Sequence, residues 1–109
     1  MNNILKEVKD TDSWAEILKA LAHPTRLQIV MELQGEGTKC VTDIQDILPV
    51  SQVNISQHLT VLRNAGIVNF TRDGSQRCYY ITRPDFIKGI ISLLENIETP
   101  VEGAKCCFR

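Results

Sequence analysis

Residues 51–68 read SQVNISQHLTVLRNAGIV, and the fold of the chain turns on them. At about 100° of rotation per residue, Ile55, Leu59 and Leu62 fall on one side of a helix at i, i+4 and i+7. Ser51 can accept from the free amides of the first turn, and Gly66 suits the left-handed residue that ends a helix. Val53, Asn54, Ser56, Gln57 and Thr60 point away from the apolar stripe, on a face of amides and hydroxyls with no acid. Such a face fits a DNA groove: amides pair bidentately with adenine, hydroxyls serve several bases, and Val53 suits the thymine methyl. Alone, it also describes a solvated amphipathic helix. The neighbouring segments decide between the two.

Downstream, Ile67–Arg72 and Arg77–Thr82 read as paired strands around Asp73-Gly74, a strong hairpin turn. Arg72, Gln76 and Arg77 make its tip basic and polar, as a wing that grips the phosphate backbone or minor groove needs to be. Upstream, Cys40 to Leu48 reads as a helix with Val41, Ile44 and Leu48 inward, and Pro49-Val50 makes the turn. The pair is a helix-turn-helix whose second member is placed for the major groove. Pro24 starts an earlier helix carrying Leu27, Val30 and Leu33, closed by Gly35-Glu36-Gly37. Trp14, Ile17, Leu18 and Leu21 mark the first helix, and Asp85–Ile97 the last, with Phe86, Ile90, Ile91 and Leu94 along it. The expected architecture is mainly α with a β-hairpin wing: helix, helix, helix, helix, hairpin, helix. The expected DNA contacts are Ser51, Gln52, Val53, Asn54, Ser56, Gln57, Thr60 and Arg63 from the helix, with Arg72, Gln76 and Arg77 from the wing.

Three segments, LKALAHPTRLQIVMEL, SQVNISQHLTVLRNAGIV and DGSQRCYY, resemble the ArsR/SmtB family of winged-helix repressors in order and spacing. The resemblance runs from about Trp14 to Leu94. It implies a homodimer paired through the first and last helices, bound to an imperfect palindrome in double-stranded DNA and released by an inducer, often a metal ion or arsenite.

Bulk properties agree. A chain of 109 residues supports one domain with a modest core. Residues 1–98 are expected to form the DNA-binding and dimerisation domain, and 99–109 a cysteine-containing tail. No apolar run approaches the roughly 20 residues of a membrane span, and no signal peptide is visible, so a cytoplasmic protein is expected. The formal net charge is −1, but its distribution is uneven. Residues 51–83 carry Arg63, Arg72, Arg77 and Arg83 against Asp73 alone, the footprint wanted for phosphate contact. So modest a local charge calls for two copies on the DNA.

The four cysteines bear on what is sensed. Cytosolic thiols bind metals or take part in redox chemistry more often than they form structural disulfides. Cys40 opens the third helix, where amides favour the thiolate, and is either a ligand or a small residue tolerated at a cap. TKCVTDI resembles the family's thiolate box, with Thr42 in place of the second cysteine. Cys106 and Cys107 are adjacent in the polar tail, beside Lys105 and Arg109. Some family members resembling this chain carry such a pair for arsenite or antimonite, ions that take three thiolates in a pyramid. Cys40, Cys106 and Cys107 would complete that set. By strand alternation Cys78 is expected beside Tyr80 and Thr82 on the packed side of the wing, more as core filler than as ligand.

The family's other site places aspartate and histidine on the last helix, where this chain has Asp85 and Glu95 but no histidine. His58 is expected to pack and hydrogen-bond. The soft donors therefore favour As(III) or Sb(III), then cadmium or lead, with no cofactor needed for folding. Two alternatives stay open: a thiol redox or persulfide switch on the same fold, and a winged-helix module that binds protein. The family's persulfide sensors carry a cysteine in the second helix, where this chain has Met31. No acid–base pair, nucleotide loop or nucleophile motif suggests an enzyme.

Overall fold

The computed structural model describes residues 3–101, with side chains from residue 10 onward. Its elements are α1 (Asn3–Leu21), α2 (Pro24–Glu36), β1 (Lys39–Cys40), α3 (Val41–Ile47), α4 (Gln52–Asn64), β2 (Val68–Asp73), β3 (Gln76–Ile81) and α5 (Pro84–Glu95). The winged helix-turn-helix is as expected, with one addition. The two-residue β1 pairs antiparallel with β3, making a sheet of order β1-β3-β2 rather than a bare hairpin.

The core gathers where the helical stripes converge. Ile55, Leu59 and Leu62 of α4 are fully buried together with Ile29 of α2, Ile44 of α3, Ile67 and Ile87 of α5. Ser51 caps α4 by accepting the Asn54 N–H at 3.2 Å. Gly66 takes φ 79° at its other end, where the Ile67 N–H returns to the Leu62 carbonyl at 3.0 Å. That reversal sends the chain directly into the wing. At the wing tip Gly74, at φ 66°, occupies the first position of a two-residue turn, where a positive φ is required. Asp73 therefore ends β2 rather than opening the turn.

Not every apolar stripe is covered. On α1, Ala20 and Leu21 join the core, whereas Trp14 is 59% and Leu18 53% exposed. On α5 only Ile87 is fully buried, and Leu93 is 73% exposed. Among the described residues no helix is long and apolar enough to cross a membrane.

Candidate nucleic-acid interface

The outward side of α4 and the inner side of the wing face one cleft. Gln52, Ser56 and Thr60 line it from α4, Gln76, Arg77 and Tyr79 from β3, and Val41 and Thr42 from α3. Gln52, Val53, Ser56, Gln57 and Thr60 continue as an open surface along the helix. Of the expected contacts, Ser51 uses its hydroxyl as the α4 cap, and the Thr60 hydroxyl donates to the Ser56 carbonyl at 2.9 Å. Asn54, Gln57 and Val53 are exposed, their polar or methyl groups directed at solvent.

The arginines converge on a residue the sequence reading passed over. Phe70 of β2 is paired with Tyr79 of β3, ring centroids 5.3 Å apart. Around the Phe70 ring stand three guanidiniums: Arg77 at 4.6 Å from the centroid, Arg63 at 4.8 Å and Arg72 at 5.9 Å. Arg63 comes from α4, Arg72 and Arg77 from directly opposed positions of the hairpin. Like charges set opposite one another repel, and the ring's negative face offsets part of that repulsion. The Arg63 Nε also donates to Asn69 Oδ1 at 3.3 Å. Three cations are thus held together between α4 and the wing, an arrangement chemically suited to phosphate oxygens. The available signal was an aromatic residue two positions before Arg72 in a basic hairpin.

The structure corrects the placement of Cys78. Tyr79 and Ile81, not Cys78, Tyr80 and Thr82, face the core from β3. Cys78 is buried, 7% exposed, outside the main core cluster, and is disulfide-bonded to Cys40, its direct partner across β1 and β3. Without β1 there was no partner to expect on that face. Cys40 keeps its position just before α3, its backbone N–H donating to Asp43 Oδ2 at 3.2 Å. Cys106 and Cys107 lie outside the described residues. Among the described residues no group of three His, Cys, Asp or Glu side chains could hold a metal ion, so the expected thiolate set needs the tail.

His58 behaves as a packing residue of the recognition helix. Its Nδ1 accepts from Arg26 Nη1 at 3.2 Å, and its ring lies 4.5 Å from that of His23, whose own Nδ1 caps α2 by accepting the Thr25 N–H. Arg26 can only donate, so His58 is neutral in this arrangement. Burial, then the His23 and Arg26 charges, push its pKa below the ordinary histidine value. With the folded pKa below the unfolded value of about 6.5, the associated stability is complete above that pH and is lost as pH falls through the folded pKa. His58→Gln is therefore expected to lose less thermal stability than the wild type between about pH 7.5 and about pH 5. Identical losses in a calorimetric comparison would contradict this role.

Residues 23–69, from the start of α2 into β2, match the family model described as bacterial regulatory protein, arsR family. The transcriptional repressor PagR of Bacillus anthracis is 42% identical over 84 residues, covering 77% of this chain and 83% of PagR. The chain belongs to the ArsR family. The PagR crystal structure superposes with a TM-score of 0.70 over 80% of this chain and 98% of that one. A homodimeric winged helix-turn-helix DNA-binding domain from Mycobacterium bovis, a possible ArsR-family regulator, gives 0.75 at 26% identity, over 84% of this chain and 85% of that one. The arsenic resistance transcriptional regulator ArsR1 of Pseudomonas putida is 35% identical over 81 residues, 74% of this chain and 62% of its own length. This ArsR-family chain is accordingly a transcriptional repressor by kinship, and its relatives are regulators rather than enzymes.

Proposed function

We propose that this regulator binds double-stranded DNA as a homodimer, reads an imperfect palindrome with α4, and leaves it when an inducer engages its cysteine thiols. The observation that carries the reading is the set of three arginines around Phe70, placed beside the exposed amides of α4. The exposed apolar residues of α1 and α5, Trp14, Leu18, Leu93 and Leu94, supply a face for the second subunit. The homodimeric relative supports a two-subunit assembly.

Gln57→Ala tests the reading of bases. Losing one bidentate base contact is expected to weaken operator binding by about 1–3 kcal/mol per half-site and to leave unrelated duplex almost unaffected. Equal losses on both duplexes, or none, would contradict the placement of α4 in the major groove.

For the inducer, Cys40, Cys106 and Cys107 form a soft donor set suited to As(III) or Sb(III), then to cadmium or lead. The arsenic resistance regulator among the relatives supports that class. Cys40 can serve only as a free thiolate, so this site requires its bond to Cys78 to be open. The same bond favours a second reading, in which the thiols are oxidised rather than metallated. Release of the reduced complex by arsenite, lost on changing Cys106 and Cys107 to Ser, supports the first; release by peroxide alone supports the second.

A further inference from the structure

We infer that Cys40 and Cys78 are a site of reversible thiol oxidation, at which a hydroperoxide lowers the affinity of this protein for DNA. The inference rests on the operator-binding reading and deepens the second of its two sensing chemistries. It needs neither the tail cysteines nor a cysteine in α2.

The two residues are 38 positions apart in sequence, yet directly opposed in the β1–β3 ladder. Lys39 pairs with Tyr79 in the next rung, so backbone pairing keeps the two side chains facing one another whether or not they are bonded. They differ in access. Cys78 is 7% exposed, whereas Cys40 is only half-buried. Cys40 is therefore the sulfur a solute meets, and Cys78 the one that resolves.

The chemistry balances with a hydroperoxide as oxidant. The Cys40 thiolate attacks the peroxide, a sulfur–oxygen bond forms, the oxygen–oxygen bond breaks, and the alcohol leaves after protonation. Cys78 then attacks the Cys40 sulfur, the disulfide forms, and the sulfenic oxygen leaves as water. Two thiols lose two electrons, and the peroxide is reduced to alcohol and water. A dithiol reductant reverses the bond by exchange.

The effect on DNA follows from the register. Residues 39 and 79, and 40 and 78, are paired, and continuing the same register brings 42 opposite 76. At that position the Thr42 hydroxyl donates to Gln76 Oε1 at 3.2 Å. The disulfide joins β1 to β3 and the hydrogen bond joins the first turn of α3 to the start of β3, two residues away in each segment, so together they clip the wing to the start of α3. Gln76, an expected DNA contact, stays exposed but has its Oε1 occupied by the Thr42 hydroxyl. Opening the disulfide removes the covalent tie while the ladders remain, so the wing can shift against α3 and Gln76 can exchange Thr42 for the duplex. The oxidised form is the weaker binder.

The test uses the full chain, reduced with a dithiol and then exposed to hydrogen peroxide. Alkylation and mass spectrometry report the pairing, and fluorescence anisotropy on the protein's own upstream duplex reports affinity. Peroxide is expected to link the Cys40 and Cys78 peptides and to lower affinity about tenfold, a shift easily resolved by titration. A dithiol should restore both. Cys40→Ser and Cys78→Ser should keep the reduced-state affinity in peroxide, and the double variant Cys106→Ser/Cys107→Ser should respond like the wild type. Linkage without a change in affinity, or an affinity loss while Cys40 and Cys78 stay reduced, overturns the inference. The wild-type comparison alone decides this if a serine variant fails to fold. Absence of DNA binding by the reduced wild type overturns instead the operator-binding reading.

Discussion

Arg77→Ala is expected to weaken binding to every duplex, operator or unrelated, by more than about tenfold at physiological salt. Arg77 has the closest guanidinium to the Phe70 ring, 4.6 Å from its centroid, and stands on the wing opposite Arg72. On the proposed reading Arg77 meets phosphate, which is the same in every sequence, so its loss shifts all affinities together. In a homodimer the substitution removes two such contacts. The slope of log K against log salt should then flatten by about 0.9 for each. Folding should not suffer. Arg77 is exposed and its removal relieves repulsion from Arg72, so the change in unfolding free energy is expected to stay within about 0.5 kcal/mol. Parallel salt titrations of wild type and variant check this, and an unchanged slope would move the phosphate contact elsewhere.

Leu59→Ala is expected to produce the largest loss of stability among single substitutions in α4. Leu59 is fully buried midway along the stripe of Ile55 and Leu62, within the core cluster that also holds Ile29, Ile44 and Ile67. Replacing a buried leucine with alanine removes its transfer free energy and leaves a cavity, together about 2–5 kcal/mol. Against a total of about 5–15 kcal/mol for a domain, that is a large fraction. Urea titration should show a lowered midpoint with an unchanged slope. Val53→Ala, on the outward side and 66% exposed, should leave the midpoint nearly where it is. Equal effects at the two positions would contradict the facing of α4.

The contrast between these residues shows how much the sequence alone disclosed. The facing of α4 was legible because Ile55, Leu59 and Leu62 repeat at helical spacing between a serine cap and Gly66, and all three are buried. The hairpin was legible from its turn residues. β1 was not, because a two-residue strand has no periodicity and its existence depends on β3, far along the chain. Cys78 is buried as expected, but its partner Cys40 was missed with β1, and Tyr79 and Ile81 rather than Tyr80 and Thr82 face the core cluster. Phe70 was missed for a related reason. Its role arises only when Arg63 from one element and Arg72 and Arg77 from two others meet over one ring. Trp14 and Leu18 marked the first helix by their apolar spacing, and both are exposed in the single chain. Local chemistry wrote the elements; contacts distant in sequence wrote the site.

The most direct test of the central claim is an anisotropy titration of the reduced full chain against its own upstream duplex and a scrambled duplex of equal length and composition. The account predicts binding to the upstream duplex at least about a thousandfold tighter than to the scrambled one, the separation usual for specific recognition. Equal affinity for the two duplexes, or none for either, would contradict it.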